Sequence, residues 1–316
     1  MQDVYTPEGM RIGDAYNREQ TASLAALNAA MERGAILEGR AVKCDASHNL
    51  LVSCGKFRGI VPRSECAYMP DGSEVRDIAI ITRVGKSVCF TVTGISEADG
   101  EPLLILSRCE AQRRCFEEYV ARLVSGDVVG ARVTHIESFG AFCDIGCGVV
   151  ALLAVDGISV SRIRHPSERF SPGDFIKCAV AVNDPAAGRV TLTHKELLGT
   201  WEENAAAFSP GETAAGVIRS VEPYGVFVEL APNLAGLAEW CEGAEPGKGA
   251  AVYIKSIIPE KMKIKLVIVD TGFGSPPPAK PRYFIEDGHI GEWIYSPESA
   301  PRTVGTVFDG GFRRLP

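Results

Sequence analysis

The chain has 316 residues, 46% hydrophobic and 23% charged, and a net charge of −7. That length implies several domains in series rather than one core, and the negative balance excludes a protein that coats nucleic acid through bulk positive charge alone. No apolar run approaches the roughly 20 residues that cross a bilayer, and residues 1–11 carry Asp3 and Glu8 with no basic stretch leading into an apolar one, so a membrane span and a secretory signal are not expected and the chain is read as cytoplasmic.

Residues 1–35 form an N-terminal segment with one helix expected over 17–33, where Leu24, Leu27 and Met31 make a stripe and Gly34 a stop. The first module, 36–108, contains HNLLVSCGKFRGIVP at 48–62, two apolar runs about a glycine turn. A helical connector at 109–122 follows, with Cys115, Tyr119 and Leu123 about four apart. The second module, 123–197, contains SFGAFCDIGCGVVALLA at 138–154, and 85 residues later the third repeats the pattern as PYGVFVELAPNLAGLAE at 223–239. The two segments align without a gap, with Phe139/Tyr224, Gly140/Gly225, Phe142/Phe227 and Leu152/Leu237 in matching places. In the weaker first copy the two ring positions hold His48 and Leu51.

A second connector, 198–207, continues a stripe of Leu197, Trp201 and Ala205. The third module, 208–270, shows five short β-branched runs at 215–221, 226–230, 237–240, 251–258 and 263–269, the strand count of an OB-type barrel. In the last run Ile264, Leu266 and Ile268 share one face and Lys263 and Lys265 the other. Residues 271–316 read as a stiff extended linker through Gly272, Gly274 and Pro276 to Pro278, then a short aromatic tail whose Tyr283, Phe284, Trp293 and Tyr295 anchor it to a barrel. The expected fold is all-β modules with helical connectors, three tandem five-stranded OB-fold barrels between a helical N-terminus and this linker and tail.

Two aromatics flanking a glycine can both face solvent if the strand bends there, and exposed rings stack on unpaired bases of any sequence. The alternative is that these rings fill the barrels. The ten cysteines lie in apolar runs without paired zinc spacing and are read as reduced core thiols; Cys143 and Cys147 lack a histidine partner set. There is no glycine-rich phosphate loop before a helix and no nucleophile and base set, so neither catalysis, cofactor, metal nor small-molecule substrate is indicated.

The second module, with GDVVGARVTHIESFGAFCDIGCGVVALLAV, ISVSRIRHPSERFSPGDFIKCAVAVND and GRVTLTHKE, resembles the S1 RNA-binding domain of bacterial ribosomal protein S1 and polynucleotide phosphorylase. The resemblance implies an S1-type OB barrel that holds single-stranded RNA, with Phe139 and Phe142 as stacking platforms, Asp184 and Arg189 as the acidic and basic positions, and Ala154 where the family has a histidine. Arg162 and Arg164, with His165 beside them, are candidate phosphate contacts on its loop. The third module is similar, with Tyr224 and Phe227 at the ring positions, Glu239 at the histidine position, Lys263 at the basic one, and Lys255 and Lys265 in a stripe with it; the acidic position falls at Pro259 or its neighbour. The first module keeps only the outline, which suggests structural or docking duty.

As a whole, residues 36–270 resemble the short S1-like small-subunit ribosomal protein homologues of Firmicutes, clostridial ones included, which implies messenger RNA and the small ribosomal subunit as partners. Two function classes follow: a single-stranded RNA-binding protein, favoured, or a protein-interaction scaffold of OB folds with weak RNA affinity.

Overall fold

The computed structural model describes residues 4–70, 72–98, 100–277 and 280–315; Asp3 and Pro278, named above, lie outside them. Where the periodicity predicts one helix over 17–33 there are two, α1 (Ala15–Gln20) and α2 (Leu24–Glu32). Each has its own cap, Asp14 accepting from Asn17 N–H and Ser23 from Ala26 N–H. The break falls at Thr21–Ser23, where the Ser23 cap starts the second helix; within α1 the Asn17 amide makes a two-point bond to β1, donating to Glu38 O at 2.9 Å and accepting from Glu38 N at 2.8 Å. Leu27 and Ala30 are buried against the first barrel, while Leu24 of the expected stripe is exposed.

The first barrel closes in the order β1-β2-β3-β5-β4 from β1 (Leu37–Cys44), β2 (Leu50–Cys54), β3 (Phe57–Val61), β4 (Ser87–Ala98) and β5 (Glu101–Ser107), with helix α3 (Asp77–Ile81) before β4. Helix α4 (Arg108–Glu118) leads to the second barrel, β6 (Val128–Glu137), β7 (Gly140–Asp144), β8 (Val150–Ala154), β9 (Phe175–Asp184) and β10 (Arg189–Thr193). The third follows helix α5 (Trp201–Ala205) with β11 (Thr213–Glu222), β12 (Gly225–Ala231), β13 (Leu234–Ala238), β14 (Gly249–Ile258) and β15 (Lys263–Phe273). All three are closed and share one strand order, the Greek-key arrangement of an OB fold. The first strand of each is bulged at the same place, between Ala41 and Lys43, Val133 and His135, and Ile218 and Ser220, which supplies the bend needed for closure. No helix of the described residues is long and apolar enough to cross a membrane.

The linker begins later than the sequence suggests. β15 runs on to Phe273, paired with Gly249, so Thr271 to Phe273 belong to the third barrel rather than to a linker. The connectors bury the apolar stripes expected of them: Cys115 and Tyr119 of one, and Leu197, Trp201 and Ala205 of the other, lie in the cores they join.

The barrels are locked together by buried polar contacts between residues far apart in sequence. At the first junction, residues 4–14 lie between barrels one and two. The buried Glu8 carboxylate accepts from Arg108 Nε at 2.7 Å and Cys89 N at 3.0 Å, while its own N–H donates to Asp144 at 2.7 Å. Burial pushes the Asp144 and Glu38 carboxyls up to about 7, Asp144 further raised by the neighbouring Glu8 charge. At the second junction, Asn233, in the β12–β13 turn, accepts from Val160 N at 3.0 Å and donates to Lys195 O at 2.7 Å and Gly199 O at 2.9 Å, on the second module and the connector that follows it. Beside it Glu229 takes Arg219 from its own barrel and Arg169 from the second.

The tail is a small sheet of its own, β16 (Glu292–Ile294), β17 (Gly305–Val307) and β18 (Arg313–Leu315), with Trp293 and Tyr295 buried in the third barrel's cluster. His289 clasps it to the second barrel, bridging Asp127 at 2.9 Å and Asp309 at 3.2 Å. These bonds raise the His289 pKa above its ordinary 6.5. A group whose folded pKa is raised stabilises fully below its unfolded value and loses that contribution as pH rises through the folded one. The tail is therefore expected to loosen as pH climbs above 6.5, with faster hydrogen exchange at Ile290 N–H, which bonds to Gly126 O at 2.9 Å. A pH-independent opening free energy at that amide, once intrinsic exchange is corrected for, would contradict the clasp.

Candidate nucleic-acid interface

In the second barrel β6 and β7 meet with Glu137 opposite Gly140, which leaves Ser138 and Phe139 as the turn. Strand pleating then sends Ala141 and Cys143 into the core, both fully buried, and Phe142 outward. Phe139 is 54% exposed, and the two rings lie edge to face with centroids 5.9 Å apart. Gly140 is needed here because a Cβ would come within 2.5 Å of Leu153 O on β8. The third barrel repeats the arrangement: Val226 and Val228 point inward, Tyr224 is 69% exposed, and it meets Phe227 edge to face at 6.2 Å. A Cβ at Gly225 would meet Ala238 O at 2.4 Å. None of these four rings fills a barrel.

Each pair heads a row of outward side chains across the sheet. In the second barrel, register aligns His135, Phe142, Leu152, Thr191 and Val182. Arg189, two residues before Thr191, is exposed on the same face opposite Asp184, whose carboxylate accepts from Ala187 N at 3.1 Å within the hairpin. In the third barrel the row is Ser220, Phe227, Leu237, Lys265 and Ser256, with exposed Lys263 two residues before Lys265 and exposed Lys255 at the bulge of β14. The residue opposite Lys263 is Ile258, so the acidic position assigned to Pro259 or its neighbour is apolar. In the first barrel the row is Lys43, Leu51, Ile60 and Ile105. Its turn is a longer loop tied by Asp45 to Ser47 and Asn49, and it carries no ring pair.

Not every residue singled out from sequence joins these faces. Arg162 and Arg164 line a cleft of about 910 Å³ between the second module's long loop and strands β11 and β14 of the third barrel, away from the ring pairs. His165 is structural: its Nδ1 accepts from Ser167 N, capping a 3-10 turn at Pro166–Glu168, and Glu168 accepts in return from His165 N. His194 is buried between Ile158 O and the Tyr283 hydroxyl, and burial pushes its pKa down to about 4, so it is a neutral core group. Two exposed rings next to the ring pairs are not part of the motif. His135 stacks on Phe142, and Trp240, 59% exposed, follows β13 where continued register would set it opposite Tyr224.

A five-stranded OB barrel with exposed ring pairs and nearby cations on one face is the architecture of a single-stranded nucleic-acid binder. Residues 123–195, the second barrel, match the model of the S1 RNA binding domain. The chain is 30% identical over 193 residues to small ribosomal subunit protein bS1 of Leuconostoc lactis, covering 60% of this chain and 43% of the relative. It is 27% identical over 267 residues to bS1 of Staphylococcus aureus strain COL, covering 80% and 66%. A bS1 homolog of Bacillus cereus is 28% identical over 204 residues, 62% and 50%. The chain thus spans between about two fifths and two thirds of the length of these curated relatives. Among solved structures, a multidomain protein with nucleic acid binding domains from Streptococcus pneumoniae aligns over 76% of this chain and 75% of its own at 13% identity, with a TM-score of 0.26.

Proposed function

We propose that this chain binds single-stranded RNA, most directly messenger RNA held near the small ribosomal subunit, by stacking bases on Phe139 and Phe142 and on Tyr224 and Phe227. The observation that carries the reading is the repeated edge-to-face ring pair on the outside of two barrels, each in the same turn and strand position. Similarity of the chain to bS1 supports the ribosomal setting. Phosphate contacts come from Arg189 on the second barrel and from Lys255, Lys263 and Lys265 on the third, with Asp184 ordering the hairpin that presents Arg189 and Arg162 and Arg164 flanking the strand's path between modules. All three barrels are S1-type modules in this reading, and the first, which lacks the rings, serves in docking.

Titration of a labelled, unstructured RNA of about 20 nucleotides at two salt concentrations tests it. Binding is expected to weaken with salt, with a slope near −0.7 for each phosphate neutralised on a single strand. Absence of binding by the wild-type chain at low salt would overturn the proposal and favour the scaffold reading.

A further inference from the structure

The platform of the second barrel has a third ring. The imidazole of His135 is opposite Phe142 in the β6–β7 register, lies nearly parallel to it at 19° with centroids 6.2 Å apart, and its side chain is 63% exposed. Its Nε2 is 2.7 Å from Glu137 Oε1, a bond that fixes the plane of the ring. The corresponding positions hold Ser220 in the third barrel and Lys43 in the first, so this extension belongs to the second barrel alone.

We infer that His135 is an RNA-contacting residue: it extends the Phe139 and Phe142 platform across the β6–β7 hairpin and takes one further unpaired base on the imidazole face. The inference rests on the RNA-binding reading above and adds a residue to that site. A flat ring already stacked on one side offers its open face to a base without reordering, because Glu137 and Phe142 hold its two torsions.

The test compares wild type with His135→Ala, His135→Phe and, as reference, Phe142→Ala, in titrations of a labelled oligoadenylate of about ten nucleotides, with thermal melting to verify folding. Loss of one stacked base predicts that His135→Ala weakens binding about 5- to 150-fold, while His135→Phe, which keeps a flat ring, stays within about twofold of wild type. On adding RNA, the His135 ring-proton resonances should move upfield through the ring current of the stacked adenine, a shift that a purely structural histidine would not show. If His135→Ala binds as wild type does while Phe142→Ala is weakened, the inference fails and the RNA-binding reading stands. If wild type itself does not bind, both fail.

Discussion

Replacing both rings of the second barrel, Phe139→Ala with Phe142→Ala, is expected to weaken single-stranded RNA binding by at least about 30-fold while leaving the melting temperature nearly unchanged. The first part follows from stacking energies of about 1–3 kcal/mol per base, so two lost platforms cost about 2 kcal/mol or more. The second follows from where the rings sit. Ala141 and Cys143, not Phe139 and Phe142, fill the barrel, so truncating the rings opens no cavity in the core. Fluorescence anisotropy and a thermal melt on the same preparation check both. Unchanged affinity in the folded double variant would remove the platform, and an unfolded variant would give the rings a packing role instead.

Glu8→Ala should be the most damaging single change to the architecture. It leaves the Arg108 guanidinium buried with Cys66 O at 3.0 Å as its remaining short contact and removes the acceptor of Cys89 N–H. Removing one partner from a buried ion pair costs about 3–5 kcal/mol, since the other charge stays desolvated. The damage should be local to the junction of barrels one and two, where the lost carboxylate bonds lie, since the backbone bonds of residue 8 to Arg132, at 2.6 Å, and to Asp144 are kept by Ala. Chemical denaturation should show an early transition for this junction, and limited proteolysis should cut the 4–14 segment first. Wild-type stability in Glu8→Ala would mean that the N-terminal segment does not join the barrels.

These two expectations differ in how far the sequence alone reaches. The 85-residue repeat is visible because each copy carries its own alternation and its own glycine, and those local features set Phe139 beside Phe142 and Tyr224 beside Phe227. The junctions are not visible, since Glu8 meets Arg108 across 100 residues and Asn233 reaches Val160 across 73. The tail sheet is hidden for another reason: its strands are three residues each, too short to show a period of two. His135 is concealed by the bulge in β6. Strict alternation from the buried Val133 would turn residue 135 inward, and the extra residue at Thr134 turns it out beside Phe142 instead. The helix over 17–33 is broken at Thr21–Ser23, where the Ser23 side chain caps a second helix, a signal that an apolar stripe does not record.

In this mode of binding, bases, not only phosphates, are held. It is tested most directly by running the RNA titration beside a strand of equal length in which every nucleotide is abasic, at one salt concentration. The abasic strand, with the same charge and no rings to stack, is expected to bind at least tenfold more weakly than the RNA. Equal affinity for the two strands would contradict it and leave Arg189 and the lysines of the third barrel as a phosphate track without a platform.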